Sequence, residues 1–242
     1  MRITFLGTGA ADWKGPLATG EYRRFTSTLF DGRLLIDGTG RVCDMLPDTS
    51  GVEVMLFTHS HADHFDPEFL RAVAPKRAFA ERSWASEFGM EGAEVGRTFC
   101  AAGYEITPVP ANHSTARTDE QALNYVISDG RKRVLYATDG AWLTNGAYHA
   151  IRRGEPLDAA VFDGTVGDDF PDDWRVFEHN TLPMVRVMRA SLVKAELLKV
   201  GANAFVTHLA RTLHPDQRTL TARESARENP LVIAYDGFTA EI

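Results

Sequence analysis

The apolar positions of this chain fall into short strand-like runs, most of them closed by Gly, Asp or His. Residues 2–6 run into Gly7-Thr8-Gly9, and residues 52–58 run into His59. Ser27–Phe30 and residues 33–36 flank Asp31-Gly32, while residues 124–128 and Arg133–Ala137 flank Asp129-Gly130. An Asp-Gly pair between two strand-like runs is a hairpin signal, because it tolerates the positive φ of a tight turn. Tyr104–Pro110 ends near His113, and residues 159–162, 204–207 and 231–235 end at Asp163, His208 and Asp236.

Helical spacing lies between these runs. Pro67–Val73 has Asp66 before it as a cap and Pro67 at its first position, the pattern of a helix start. Residues 183–200 place Val187, Leu192, Val193, Leu197 and Leu198 near a 3.6-residue period, with Gly201 as the predicted stop. Residues 215–229 are strongly charged and predict a surface helix. Hairpins dominate the first half and helices alternate with strands in the second, which suits two packed sheets with helices outside.

Neither a linker, a low-complexity tract nor an internal repeat interrupts the 242 residues, so one domain spanning 1–242 is expected. Charge narrows the partners. With 26 Lys+Arg against 33 Asp+Glu, the net charge of −7 disfavours duplex nucleic acid, whose grip relies on basic phosphate contacts. A small anion stays open, because local charge can oppose the global balance. Cys43 and Cys100 stand far apart and suggest neither a disulfide framework nor a thiolate metal site. No apolar run approaches the roughly 20 residues that span a bilayer, and residues 1–7 carry no signal-peptide pattern. A soluble, cytoplasmic protein without a membrane partner is the expectation; a homodimer is compatible with the sequence, which does not fix the oligomeric state.

Histidine is the informative count. His59, His61, Asp63 and His64 fall within six residues, directly after the apolar run Val54-Met55-Leu56-Phe57. A polar turn would have this composition only by coincidence. In an extended segment residues two apart share a face, so His59 and His61 can meet one ion while Asp63 and His64, beyond the turn, address a second. Further candidate ligands stand at strand ends: His113, Asp139 and His208. Imidazole and carboxylate donors suit Zn or Mn and accept Fe or Ni, so two divalent metal ions are the expected cofactors.

The run Thr58-His59-Ser60-His61-Ala62-Asp63-His64, followed by distant His113, Asp139 and His208, resembles the metallo-β-lactamase superfamily of binuclear hydrolases, whose signature is H-x-H-x-D-H. Phe5-Leu6-Gly7-Thr8-Gly9 and Leu34-Leu35-Ile36-Asp37-Gly38 are similar to its first strand segments. The resemblance implies an α/β fold, a four-layer αββα sandwich of two mixed β-sheets with helices outside. It also implies that His59, His61 and His113 hold one ion, that Asp63, His64 and His208 hold the other, and that Asp139 bridges them. Asp37 would orient the ligands by hydrogen bonding. Di-iron flavoprotein members carry glutamate where this chain has His61, so hydrolysis is expected rather than redox chemistry.

Within the superfamily, Gly7-Thr8-Gly9-Ala10 and Arg23-Arg24-Phe25-Thr26-Ser27 resemble the phosphodiesterase branch, which includes tRNA 3′-end nucleases and the cyclic phosphodiesterase of phosphonate degradation. His179 lies where that branch carries an extra histidine. The resemblance makes Asp63 and His179 the expected catalytic residues, with Asp163 orienting His179 and with Arg23, Arg24 and His214 as weaker candidates for substrate contact. His149 reads as an ordinary helix residue. Phe65-Asp66-Pro67 departs from the glycine-bearing turn of the tRNA nucleases, and no long basic arm is evident. A small, linear or cyclic phosphoester is therefore the expected substrate. The alternatives are a thioester, lactone or other carbonyl hydrolase, and a non-catalytic metal-binding protein similar to the cofactor-biosynthesis member.

Overall fold

The computed structural model describes residues 1–11, 21–46 and 48–242. The first six strands are β1 (Arg2–Gly7), β2 (Ser27–Phe30), β3 (Leu34–Ile36), β4 (Val54–Leu56), β5 (Arg77–Glu81) and β6 (Glu91–Ala93). The next seven are β7 (Phe99–Ala101), β8 (Tyr104–Pro110), β9 (Leu123–Ser128), β10 (Arg133–Ala137), β11 (Leu157–Asp163), β12 (Leu198–Thr207) and β13 (Val232–Ile233). The last strand is β14 (Phe238–Glu241). The strands form two seven-stranded sheets, ordered β14-β1-β2-β3-β4-β5-β6 and β13-β12-β11-β10-β9-β8-β7. Each sheet is antiparallel in one half and parallel in the other.

Side-chain alternation builds the layers. Leu34 and Ile36 of β3 face the second sheet and meet a core with Tyr125, Val134, Tyr136 and Phe205, whereas Leu35 turns outward to join Val42, Phe69 and Trp84. On the other sheet Val134 and Tyr136 point inward, while Leu135 and Ala137 pack beneath the helices. Those helices are α2 (Asn145–Ile151), α3 (Leu182–Lys194) and α4 (Gln217–Ser225), and α1 (Pro67–Val73) covers the first sheet. Strands covered on both faces read as continuous apolar runs, which explains the sequence pattern. The result is the αββα sandwich of two mixed sheets.

Local chemistry accounts for several boundaries. The Asp66 side chain accepts from Glu68 N at 2.9 Å and caps α1. Asp31 and Gly32 both take positive φ, 48° and 74°, and Arg33 N donates to Phe30 O at 2.9 Å, closing the first hairpin. Between β9 and β10 the connection spans four residues, 129–132, rather than two.

The predicted helix over 183–200 needs correction. It ends at Lys194, Glu196 turns at φ 58°, and Leu198 begins β12 beside Leu157 of β11. Leu197 and Leu198 fit a helical period and a strand start equally well. The sheet wins because Leu198 gains a ladder and stays buried in the same cluster as α3. Gly201 lies inside β12, where the register with β11 shifts. The surface helix is confined to α4, and it buries Leu220 and Glu224. The short strands β5, β6, β7 and β14 had no clear apolar run to announce them.

Candidate metal centre

Parallel pairing aligns the chemistry. Ile36 of β3 pairs with Leu56 of β4, so Asp37 and Thr58 leave the first sheet at the same edge. Ala137, Phe162 and Val206 lie side by side on β10, β11 and β12, which brings Asp139, Asp163 and His208 to one edge of the second sheet. Crevices outside the carboxyl ends of parallel strands are where α/β folds place ligands. Asp37, Asp139 and His208 each follow their strand in left-handed backbone, with φ of 54°, 56° and 57°. Asp and His are among the few side chains that tolerate this region, and its concentration beside one cluster marks a functional turn.

Two donor groups assemble there. His59, His61, His113 and Asp139 form one, and Asp63, His64, Asp139 and His208 form the other; within each, the ligand atoms lie within 4.8 Å of one another. Asp139 belongs to both. Its Oδ2 lies 3.3 Å from His59 Nε2, 3.0 Å from His64 Nε2 and 3.5 Å from His208 Nε2. His61 Nδ1 stands 2.9 Å from His59 Nε2 and 3.3 Å from His113 Nε2. His59, His64, Asp139 and His208 are buried, and the cluster opens toward His61, His113 and His179, which are partly exposed.

The hydrogen-bond partners decide which nitrogens face inward. Asp37 accepts from Thr58 N at 2.7 Å and from Thr58 Oγ1 at 2.8 Å, and its Oδ2 lies 2.8 Å from His64 Nδ1. Asp37 therefore takes the His64 Nδ1 proton. Thr58 Oγ1 has its proton on Asp37, so at 3.0 Å it accepts from His59 Nδ1. Thr165 Oγ1 donates to His208 O and accepts from His208 Nδ1 at 2.8 Å. Glu178 O accepts from His113 Nδ1 at 3.2 Å. All four rings are thus left with Nε2 lone pairs, three of them converging on a carboxylate oxygen. Lone pair against lone pair at about 3 Å is repulsive unless cations sit among them, and outer hydrogen bonds of this kind are how ligating histidines are oriented. The residues fit two metal ions.

Without cations the cluster compensates with protons. Burial holds His59 down at about 3, whereas for His64 Asp63 and Asp37 outweigh burial and raise it well above its usual range. Burial pushes Asp139 up, but His208, His113 and His179 outweigh it and hold it well below the carboxylate range.

His179 stands beside this set. Its Nδ1 lies 2.8 Å from Asp163 Oδ2 and 3.0 Å from Asp139 Oδ1. Burial opposes its charge, yet those two carboxylates raise it to about 11. Asp163 is fully buried and also accepts from Gly140 N, Thr165 N and Asn180 N, so it is fixed in place.

Arg23, Arg24 and His214 are put to other uses than substrate contact. Arg23 is buried and donates to Thr8 Oγ1, Ala234 O and Gln217 Oε1, tying the end of β1 to α4. Arg24 is paired with Asp44 and Asp236. His214 is buried, and its Nε2 donates to Gly164 O at 2.7 Å and Thr165 O at 3.1 Å, supporting the segment beneath His208. His149 is exposed on α2. Sequence reasoning missed Thr58, Thr165 and the Glu178 carbonyl. Thr58 adjoins the histidine motif and could have been suspected; Thr165 and Glu178 carry no local signal.

Among the described residues, no helix is long and apolar enough to cross a membrane. No curated protein matches the sequence. Solved structures share the fold over almost the whole chain. The metallo-β-lactamase fold protein YhfI from Bacillus subtilis is 16% identical with a TM-score of 0.72, covering 99% of this chain and 98% of that one. A diphosphatase from the PhnP family is 18% identical with a TM-score of 0.69, covering 100% and 97%. Zn²⁺-bound PqqB from Methylobacterium extorquens is 17% identical with a TM-score of 0.74, covering 100% of both chains. Residues 39–196 match the family described as the β-lactamase superfamily domain. The chain therefore belongs to the β-lactamase superfamily and carries that superfamily's hydrolase fold around a candidate metal centre.

Proposed function

We propose that this protein is a binuclear metal-dependent phosphodiesterase acting on a small phosphoester. The observation that carries the reading is His179, held by Asp163 and Asp139 on the open side of the two donor groups. A carbonyl hydrolase has no comparable need for a fixed cationic imidazole beside the metal ligands. The diphosphatase among the structural neighbours performs chemistry of the same class, attack of water on phosphorus.

His59, His61 and His113 would hold one ion, Asp63, His64 and His208 the other, with Asp139 shared. Two such ions, when bound, lower the pKa of a water and neutralise charge on the attacking and leaving oxygens. Hydrolysis adds water across one P–O bond: its oxygen goes to phosphorus, and a proton must reach the leaving oxygen. Asp63, whose Oδ2 lies 3.4 Å from His64 Nε2, would orient the water. With Nδ1 committed to Asp163 and Asp139, His179 offers Nε2–H to a phosphate oxygen or to the leaving group, the usual task of a general acid. Asp163 keeps the ring in that orientation.

A small substrate agrees with a net charge of −7, which opposes a long polyanion. The test is metal analysis followed by bis-p-nitrophenyl phosphate, thioester and lactone substrates on one preparation. Turnover of the phosphodiester with about two metal equivalents is expected. Turnover confined to the thioester or lactone overturns the assignment, and full metal loading with no turnover of any ester points to a binding protein.

A further inference from the structure

The open side of the centre is bordered by three large rings left in solvent. Trp142, three residues beyond Asp139, is 46% exposed, and Trp174 and Phe177, in the 3₁₀ turn that precedes His179, are 68% and 80% exposed. Exposed apolar side chains scattered singly need no explanation. These three stand on two segments that are both tied to the site. Trp142 N donates to the side chain of Asn180, next to His179, at 2.7 Å, and Gly140 N donates to Asp163 at 3.1 Å. Trp142 is held at φ 58°, a conformation bulky residues rarely adopt and that the surroundings must impose. In the other segment His179 N donates to Arg175 O at 2.7 Å, and Glu178, adjacent to Phe177, receives His113 Nδ1.

The charge around the rings restricts what they can receive. Residues 168–178 contain Asp168, Asp169, Asp172, Asp173 and Glu178 against Arg175 alone, and Arg175 is paired with Asp173. A further phosphate would be repelled there, whereas an uncharged planar group would cover apolar surface and stack.

We infer that Trp142, Trp174 and Phe177 are specificity-determining residues that receive an aromatic or nucleobase group of a substrate carrying a single reacting phosphate. The inference rests on the phosphodiesterase reading above and names its substrate class: aryl or nucleoside phosphodiesters, not oligonucleotides or simple alkyl esters.

Calorimetric titration of the metal-loaded protein with phenylphosphonate and with methylphosphonate isolates the ring, because the two probes share a headgroup. Phenylphosphonate is expected to bind about tenfold more tightly, on the scale of one stacking contact. The ratio should fall toward one in the variant W142A/W174A/F177A, and by part of that amount in F177A alone, whose highly exposed side chain can be removed without disturbing the core. Metal content measured on the same samples reports whether the centre is intact. Equal affinities in the unaltered protein, with bis-p-nitrophenyl phosphate still hydrolysed, overturn the aromatic rim and leave the phosphodiesterase standing. Failure of both probes to bind, with no phosphodiester turnover, overturns both. An unchanged ratio in the triple variant accompanied by a smaller solution mass assigns the rings to self-association and overturns the inference.

Discussion

His64 Nδ1 lies 2.8 Å from Asp37 Oδ2, with both side chains wholly buried. The contact joins the end of β3 to the histidine motif after β4 and sets which His64 nitrogen faces Asp139. Outer partners of this kind typically control metal affinity by about 10–100-fold. Asp37→Ala should therefore weaken metal binding by about that factor, measured by competition with a chromophoric chelator. Unchanged affinity would remove Asp37 from the centre's support.

Asp139 is the only residue common to both donor groups and to the group around His179. Asp139→Ala is expected to lose bound metal and activity together, with stoichiometry falling below two equivalents in elemental analysis. Retention of both equivalents would end its assignment as the bridge.

His179→Ala should keep its metal, since His59, His61, His113, Asp63, His64, Asp139 and His208 complete the two donor groups without it. Turnover of a phosphodiester should fall by about 10²–10⁴, the scale of a lost general acid. Asp163→Asn, which loosens rather than removes the ring, should give a smaller loss. Rates like those of the unaltered protein in His179→Ala would exclude the proposed role.

Thr165 Oγ1 meets both His208 Nδ1, at 2.8 Å, and His179 Nδ1, at 3.1 Å. Thr165→Val preserves shape but strands the His208 N–H, which costs about 1–3 kcal/mol when a buried donor loses its acceptor. Urea unfolding of the metal-free protein should show that loss, and metal affinity should drop in parallel. Neutral behaviour in both measurements would show that the hydroxyl is dispensable.

Chelation should lower the melting temperature. A ligand that binds only the native state contributes about 2.7 kcal/mol at a concentration 100 times its Kd, and the centre couples both sheets through His64 and His208. Calorimetric scans with and without excess EDTA test this, and coincident transitions would show that the metal adds nothing to stability.

What the sequence determined by itself is local. The cap and Pro67 placed α1, Asp31-Gly32 placed the first hairpin, and four donors within six residues announced a metal motif, because each depends on neighbours along the chain. The family resemblance extended this to His113, Asp139 and His208. Tertiary structure decided the rest. His64 and His208 are 144 positions apart and come within 3.2 Å only because both sheets end their parallel strands at one edge. Thr165 and the Glu178 carbonyl act through that arrangement and leave no trace in local pattern. Arg23, Arg24 and His214 looked reactive in a list of residues, but burial and ion pairing committed them to holding β1, α4 and the 164–165 segment. Leu198 joined a strand rather than a helix because β11 offered it a ladder. Local sequence sets which conformations and charges are affordable; strand register and burial decide which of them meet.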